Sequence, residues 1–210
     1  MTWSGLDVLV RDCQMYDIFP GDASGGAAAP LQNAYGGTFS NYSADRIPQR
    51  CTFLRNLVYD VPTWEGLDEH HGREISFLDN TIIGCSQGIS SQHSTVGQEA
   101  YRIIIRRNII KGFATSRVYN GQTCYSTSGI IVNGGAGLNV GSVVEICDNE
   151  LEECGDTRPS PGGSGAIKIE NVWRFTIQGN VVLLPYRIGI ILNDNGTTSN
   201  RVGYRDWENP

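Results

Sequence analysis

Apolar residues in this chain recur at i and i+2 in short runs broken by Gly, Asn and Asp, and do not keep the i, i+3, i+4 spacing of an amphipathic helix. That pattern predicts strands. Six segments share one shape: VRDCQMYDI (10–18), FLRNLVYDV (53–61), FLDNTIIGC (77–85), IRRNIIKGF (105–113), ICDNELEEC (146–154) and IQGNVVLLP (177–185). Each reads apolar, two variable residues, Asn, one variable residue, apolar. The Asn column is Asn56, Asn80, Asn108, Asn149 and Asn180, with Cys13 in the first copy, at intervals of 24 to 43 residues. Between these copies runs a second motif, a small residue leading an alternating strand: GLDVL from Gly5, GLDEH from Gly66, GISSQ from Gly88, GIIVN from Gly129, AIKIE from Ala166 and GIILN from Gly189. One pair of motifs is the length of one turn of a solenoid.

Successive copies run in the same direction, so equivalent strands pair in parallel about 4.8 Å apart. The expected fold is all-β, a single-stranded parallel β-helix formed by one domain over residues 1–210. Asn suits the column because it tolerates a left-handed turn and its amide can bond from coil to coil. Counting from the small residue, positions +1 and +3 point to the core (Leu67 and Glu69, Ile89 and Ser91, Ile130 and Val132). Positions +2 and +4 point to solvent (Asp68 and His70, Ser90 and Gln92, Ile131 and Asn133, Lys168 and Glu170). Glu69 tests this register, since an inward carboxylate needs a partner. The expectation is that its strand ends early and leaves Glu69 in a bend, with Arg73 nearby to neutralise an acid.

Composition narrows the function classes. The chain has 210 residues, a formal net charge of -6, 18% charged residues and 26 glycines, with Lys and Arg scattered. This argues against a nucleic-acid surface. No stretch approaches a membrane span, and MTWSGLDVLVRDCQMYD contains no basic segment followed by an apolar core. Six cysteines lie mostly beside apolar residues, without zinc-knuckle spacing, and read as small buried hydrophobes.

The Asn column and the Gly-led strands resemble the right-handed parallel β-helices of the pectate-lyase-like superfamily, over nearly the whole chain. The resemblance implies a polysaccharide partner, and the superfamily includes lyases, epimerases, phage tailspike depolymerases and non-catalytic adhesins. GLDEHHGREISFLDN is similar to the G-x-D-P-H-D segment of mannuronan C5-epimerases. Asp68 and His70 match that family's Asp and His, while Glu69 stands where it has Pro and His71 where it has a second Asp. His70 is then the candidate base or acid, Asp68 its orienting partner, and Lys168 a catalytic cation, with Arg73 and Arg102 also able to neutralise a uronate. Gln92, Asn133, Glu170, Trp64, Tyr119 and Tyr125 are the candidate substrate contacts.

Long segments at 19–36, 114–128 and 155–164 precede the Gly-led strands and are expected to wall this polar ribbon. His93, opening a further loop, is expected to be exposed. Hydrolysis needs two carboxylates flanking the scissile bond, and the ribbon offers no neighbouring pair unless Asp22 or Asp156 supplies one. Cofactors are not required; Ca²⁺ could be held by Asp68, Glu69 and carbonyls, though no calcium-loop spacing is present. The chain ends show no capping helix, so the expected setting is a homotrimer or a longer parent chain, extracellular, at a cell surface or on a virion.

Overall fold

The computed structural model describes residues 2–3, 5–18, 34–40, 47–93, 101–113, 115–119, 122–134, 139–155, 157, 165–185 and 188–193. All regular elements among them are strands. In chain order they are β1 (Thr2–Trp3), β2 (Leu9–Arg11) and β3 (Gln14–Tyr16); then β4 (Tyr35–Ser40), β5 (Thr52–Leu54) and β6 (Leu57–Tyr59). The third coil is β7 (Glu65–His70), β8 (Ile75–Leu78) and β9 (Thr81–Ile83), and the fourth β10 (Gln87–Gln92), β11 (Arg102–Arg106) and β12 (Ile109–Lys111). A hairpin, β13 (Arg117–Tyr119) and β14 (Gln122–Cys124), precedes β15 (Ser128–Asn133), β16 (Asn139–Cys147) and β17 (Glu150–Glu152). The last coil is β18 (Ile167–Glu170), β19 (Val172–Gln178) and β20 (Val181–Leu183), followed by β21 (Ile190–Asn193).

Equivalent strands of successive coils stack on one another, so the chain forms three parallel sheets: β1-β4-β7-β10-β15-β18-β21, β2-β5-β8-β11-β16-β19 and β3-β6-β9-β12-β17-β20. This is a parallel β-helix. Side chains of one kind line up along each sheet. Phe53 pairs in register with Phe77, Phe77 with Ile105 and Ile105 with Ile146. Phe39, Phe53 and Phe77 stack with ring centroids 4.1 and 5.6 Å apart, all without exposure. Five of the six cysteines are buried and all six are free thiols, while Cys13 is exposed.

The corner between the second and third sheets is two residues long in every coil, and it holds the Asn column. Each Asn amide donates to the next one: Asn56 Nδ2 to Asn80 Oδ1, Asn80 to Asn108 and Asn108 to Asn149 at 2.9 Å, and Asn149 to Asn180 at 2.8 Å. The same oxygens accept the backbone N–H of the preceding Asn, so the buried corners are satisfied. The left-handed residue is the one before the Asn rather than the Asn itself: Asp12, Arg55, Asp79, Arg107 and Asp148 have φ of 52–56°. Their charges alternate along the column. Arg55 pairs with Asp12 and Arg107 with Asp79 through bidentate bonds of 2.7–2.9 Å, which offsets the backbone cost.

The small-residue column also differs from the expected one at its start. GLDVL from Gly5 is not a strand of the first sheet; Leu6 forms only an isolated bridge to Gln49, β1 is the first coil's strand in that sheet, and Gly36 in β4 begins the glycine column. The reason is close approach between coils. A Cβ on Gly36 would lie 2.3 Å from the Gly66 carbonyl oxygen, on Gly66 2.8 Å from that of Gly88, and on Gly88 2.5 Å from that of Gly129. Every long connection between described strands enters or leaves the first sheet. Residues 19–33 of the expected wall segment 19–36, and 156 and 158–164 of the segment 155–164, Asp22 and Asp156 among them, lie outside the described residues.

Candidate functional site

Strand β7 concentrates the ionisable groups of the first sheet, and its neighbours β4 and β10 complete two clusters, one on each face. Their register is fixed by parallel pairing of Thr38, Asp68 and Ser90 in one row and of Ser40, His70 and Gln92 in another. On the outer face, His70 Nε2 lies 2.9 Å from Asp68 Oδ2, which also accepts a 2.8 Å bond from Thr38 Oγ1. Asp68 has no exposure while the His70 side chain is 28% exposed. Asp68 therefore points outward as expected but does not face solvent.

Glu65 joins this cluster, and strict alternation hides it. Gly66 and Leu67 both turn inward: a Cβ on Gly66 would meet Ile82 and Cys85, and Leu67 belongs to the core. Alternation breaks there, so residues three apart, Glu65 and Asp68, share the outer face. Glu65 Oε1 accepts a 2.8 Å bond from Gln92 Nε2, which is also 3.0 Å from Ser90 Oγ. Ligand atoms of Glu65, Asp68 and His70 lie within 4.8 Å of one another, so a neighbouring carboxylate pair exists after all. The glycine before an apolar residue, with Glu before it and Asp after, was the available signal.

Electrostatics divide the three groups. Burial pushes the Glu65 carboxyl up to about 8, with the Asp68 charge adding and Ser90, His70 and Gln92 opposing. Burial also raises Asp68, against the pull of His70 and Thr38. Its bond to Asp68 raises His70 to about 9 against a smaller desolvation penalty, so the imidazole is a cation at neutral pH.

On the inner face, Glu69 corrects the expected early strand end. β7 continues to His70, and Glu69 occupies the core row between Phe39 and Ser91 with no exposure. Glu69 Oε1 accepts from Ser91 Oγ and Oε2 from the Gly72 N–H at 2.6 Å, while His93 Nε2 lies 2.7 Å from Oε1. Gly72 is required because a Cβ there would sit 2.8 Å from Glu69 Oε2. Burial raises the Glu69 pKa, but the His93 charge and bonding, with Ser91 and Gly72, outweigh it and hold the carboxyl below its usual range. His93 is 2% exposed rather than on the surface, and its ring stacks on Tyr101 at 3.8 Å and 9°. The groups expected to serve Glu69 did not include His93, because loop position hides contact with a strand one coil earlier in the chain.

The remaining candidates are spread out. Lys168 pairs with Glu170 at 3.0 Å, three strands and about 14 Å from the Asp68 row, and Asn133 is two strands from His70. Arg73 sits at the corner after β7, where its backbone bridges Gln49. Arg102 lies on the second sheet and donates to Glu145 at 2.8 Å, away from the outer cluster. Trp64 immediately precedes β7 and is half-buried; Tyr125 follows β14 and its carbonyl accepts from Ser86 Oγ at 2.7 Å; Tyr119 lies in β13. The structure thus brings together His70, Asp68 and Gln92 of the expected set and adds Glu65 and Thr38.

Comparison of the chain with protein-family models, with curated proteins and with solved structures finds no match in any of the three.

Proposed function

We propose that this chain binds and modifies an extracellular, acidic polysaccharide as a lyase or C5-epimerase, with His70 as the proton-transferring group. The observation that supports this reading is the division within the Asp68–His70 pair, where the imidazole reaches solvent and the carboxylate behind it does not. A group that exchanges a proton with a polymer must be reached by it, and a buried acid is suited to orienting and charging that group. Holding its proton up to about pH 9, His70 meets a uronate first as a cation and proton donor, and acts as a base only after losing that proton. In elimination, neutral His70 accepts the C5 proton, the C5–H electrons form the C4=C5 bond, and the C4–O bond breaks as water protonates the departing oxygen. In epimerisation, a proton returns to the opposite face of C5.

The resemblance to pectate-lyase-like β-helices supports the same substrate class and an extracellular or virion setting, with assembly into a trimer or a longer chain. Uronate polymers are the first substrates to test, scored for unsaturated product by ultraviolet absorbance and for solvent deuterium at C5 by NMR. His70→Ala is expected to abolish both signals in a protein that retains its circular dichroism. An unaltered rate in His70→Ala would exclude this role, and binding without conversion on every polymer would leave an adhesin.

Hydrolysis is the second reading, favoured by the closeness of Glu65 and Asp68 and by the raised Glu65 carboxyl, which is a form suited to a general acid. It ranks lower because neither carboxylate is exposed. New reducing ends without unsaturation, lost in Glu65→Gln, would reverse the order.

A further inference from the structure

The outer cluster contains two buried carboxylates and one imidazole, and its hydrogen bonds are incomplete. Glu65 and Asp68 have no exposure, yet Glu65 Oε2 and Asp68 Oδ1 lack any hydrogen-bond partner. Buried carboxyl oxygens in that condition are costly unless a donor or a cation reaches them. The other oxygen of each carboxylate is held: Thr38 donates to Asp68 Oδ2 and Gln92 to Glu65 Oε1. Such bonds orient a carboxylate while leaving one oxygen available, as partners behind metal ligands do.

We propose that Glu65, Asp68 and His70 form a binding site for one divalent transition-metal cation, with Zn²⁺ the best match. One ligand atom from each residue lies within 4.8 Å of the others, and His70 Nε2 is already 2.9 Å from Asp68. Donors about 2.1 Å from a tetrahedral zinc are about 3.4 Å apart, so modest side-chain rotation closes the set. The donor types choose among cations. An imidazole with two carboxylates suits zinc, whereas Ca²⁺ takes six to eight oxygens and has no preference for nitrogen. Three protein ligands would leave a tetrahedral zinc one further coordination position.

This inference goes beyond the proposed polysaccharide chemistry and stands without it.

The test uses the full chain stripped with a chelator and titrated with Zn²⁺ against a competing indicator, with Ca²⁺ as comparison and Co²⁺ as an optical probe. One Zn²⁺ per chain is expected, with Ca²⁺ bound at least about 100-fold more weakly. Glu65→Gln is expected to weaken Zn²⁺ by at least about 10-fold, His70→Ala to remove the Co²⁺ visible bands, and His71→Ala to leave both unchanged. X-ray absorption at the zinc edge of the unmutated protein should show nitrogen and oxygen neighbours only. Absence of stoichiometric binding, a sulfur neighbour such as Cys13 would provide, or equal affinity in Glu65→Gln and His70→Ala overturns the proposal. No polysaccharide enters these measurements, so their failure is distinguishable from failure of the enzymatic reading.

Discussion

Two carboxylates one residue apart on the same strand, Asp68 and Glu69, have equal burial and opposite circumstances. Glu69 points into the coil, where Ser91, Gly72 and His93 address both of its oxygens and hold its pKa down. Asp68 points outward, keeps one oxygen without a partner, and shares its space with a second acid, Glu65. Burial alone therefore does not say what an acid is for. A satisfied buried acid ties coils together, whereas an unsatisfied pair beside an accessible imidazole is the arrangement on which the proposed chemistry rests.

The largest expected effect comes from breaking the inner cluster. His93→Ala leaves Glu69 charged and short of a partner in the core, and should destabilise the fold by about 3–5 kcal/mol in denaturant unfolding. A loss below about 1 kcal/mol would mean that Ser91 and Gly72 suffice. The outer cluster should respond in the other direction. Glu65→Gln removes an acid held against its charge, and should raise stability by about 1 kcal/mol at pH 9 with little change at pH 4.

The pH dependence sharpens the contrast further. Folded Glu65 keeps its proton up to about 8 while the unfolded chain releases it near 4.5, so stability falls as pH rises through that window. His70 contributes stability that is complete below its ordinary 6.5 and is lost as pH rises through about 9. Glu69, held below 4.5, does the reverse: its contribution is present above 4.5 and disappears as pH falls through the lowered folded value. Thermal unfolding across pH should show the alkaline decline shrinking in Glu65→Gln and the acid decline shrinking in Glu69→Gln. His70→Ala should lower stability at neutral pH by less than His93→Ala does, because the ring is partly in water, while removing the proposed activity.

Much of the fold was legible because repetition multiplies weak signals. One Asn after an apolar residue means little, but Asn56, Asn80, Asn108, Asn149 and Asn180 at coil-length intervals mark stacked corners, and all five occupy them. The inward row through Leu67 and Ile89 followed from period-two geometry. Glu65 was not legible by that rule, because Gly66 breaks the alternation and moves it onto the outer face. His93 was missed for a different reason: its partner Glu69 lies 24 residues earlier in the chain, and only the parallel pairing of β7 with β10 brings them together.

The chain's own pattern settles the architecture, since alternating apolar residues, crowded glycines and bonding asparagines each repeat once per coil and admit one way of stacking. The tertiary structure decides which of two adjacent acids is satisfied and which is left with a free oxygen. That choice depends on which side chains the neighbouring coils place opposite β7, and period and composition carry no record of it.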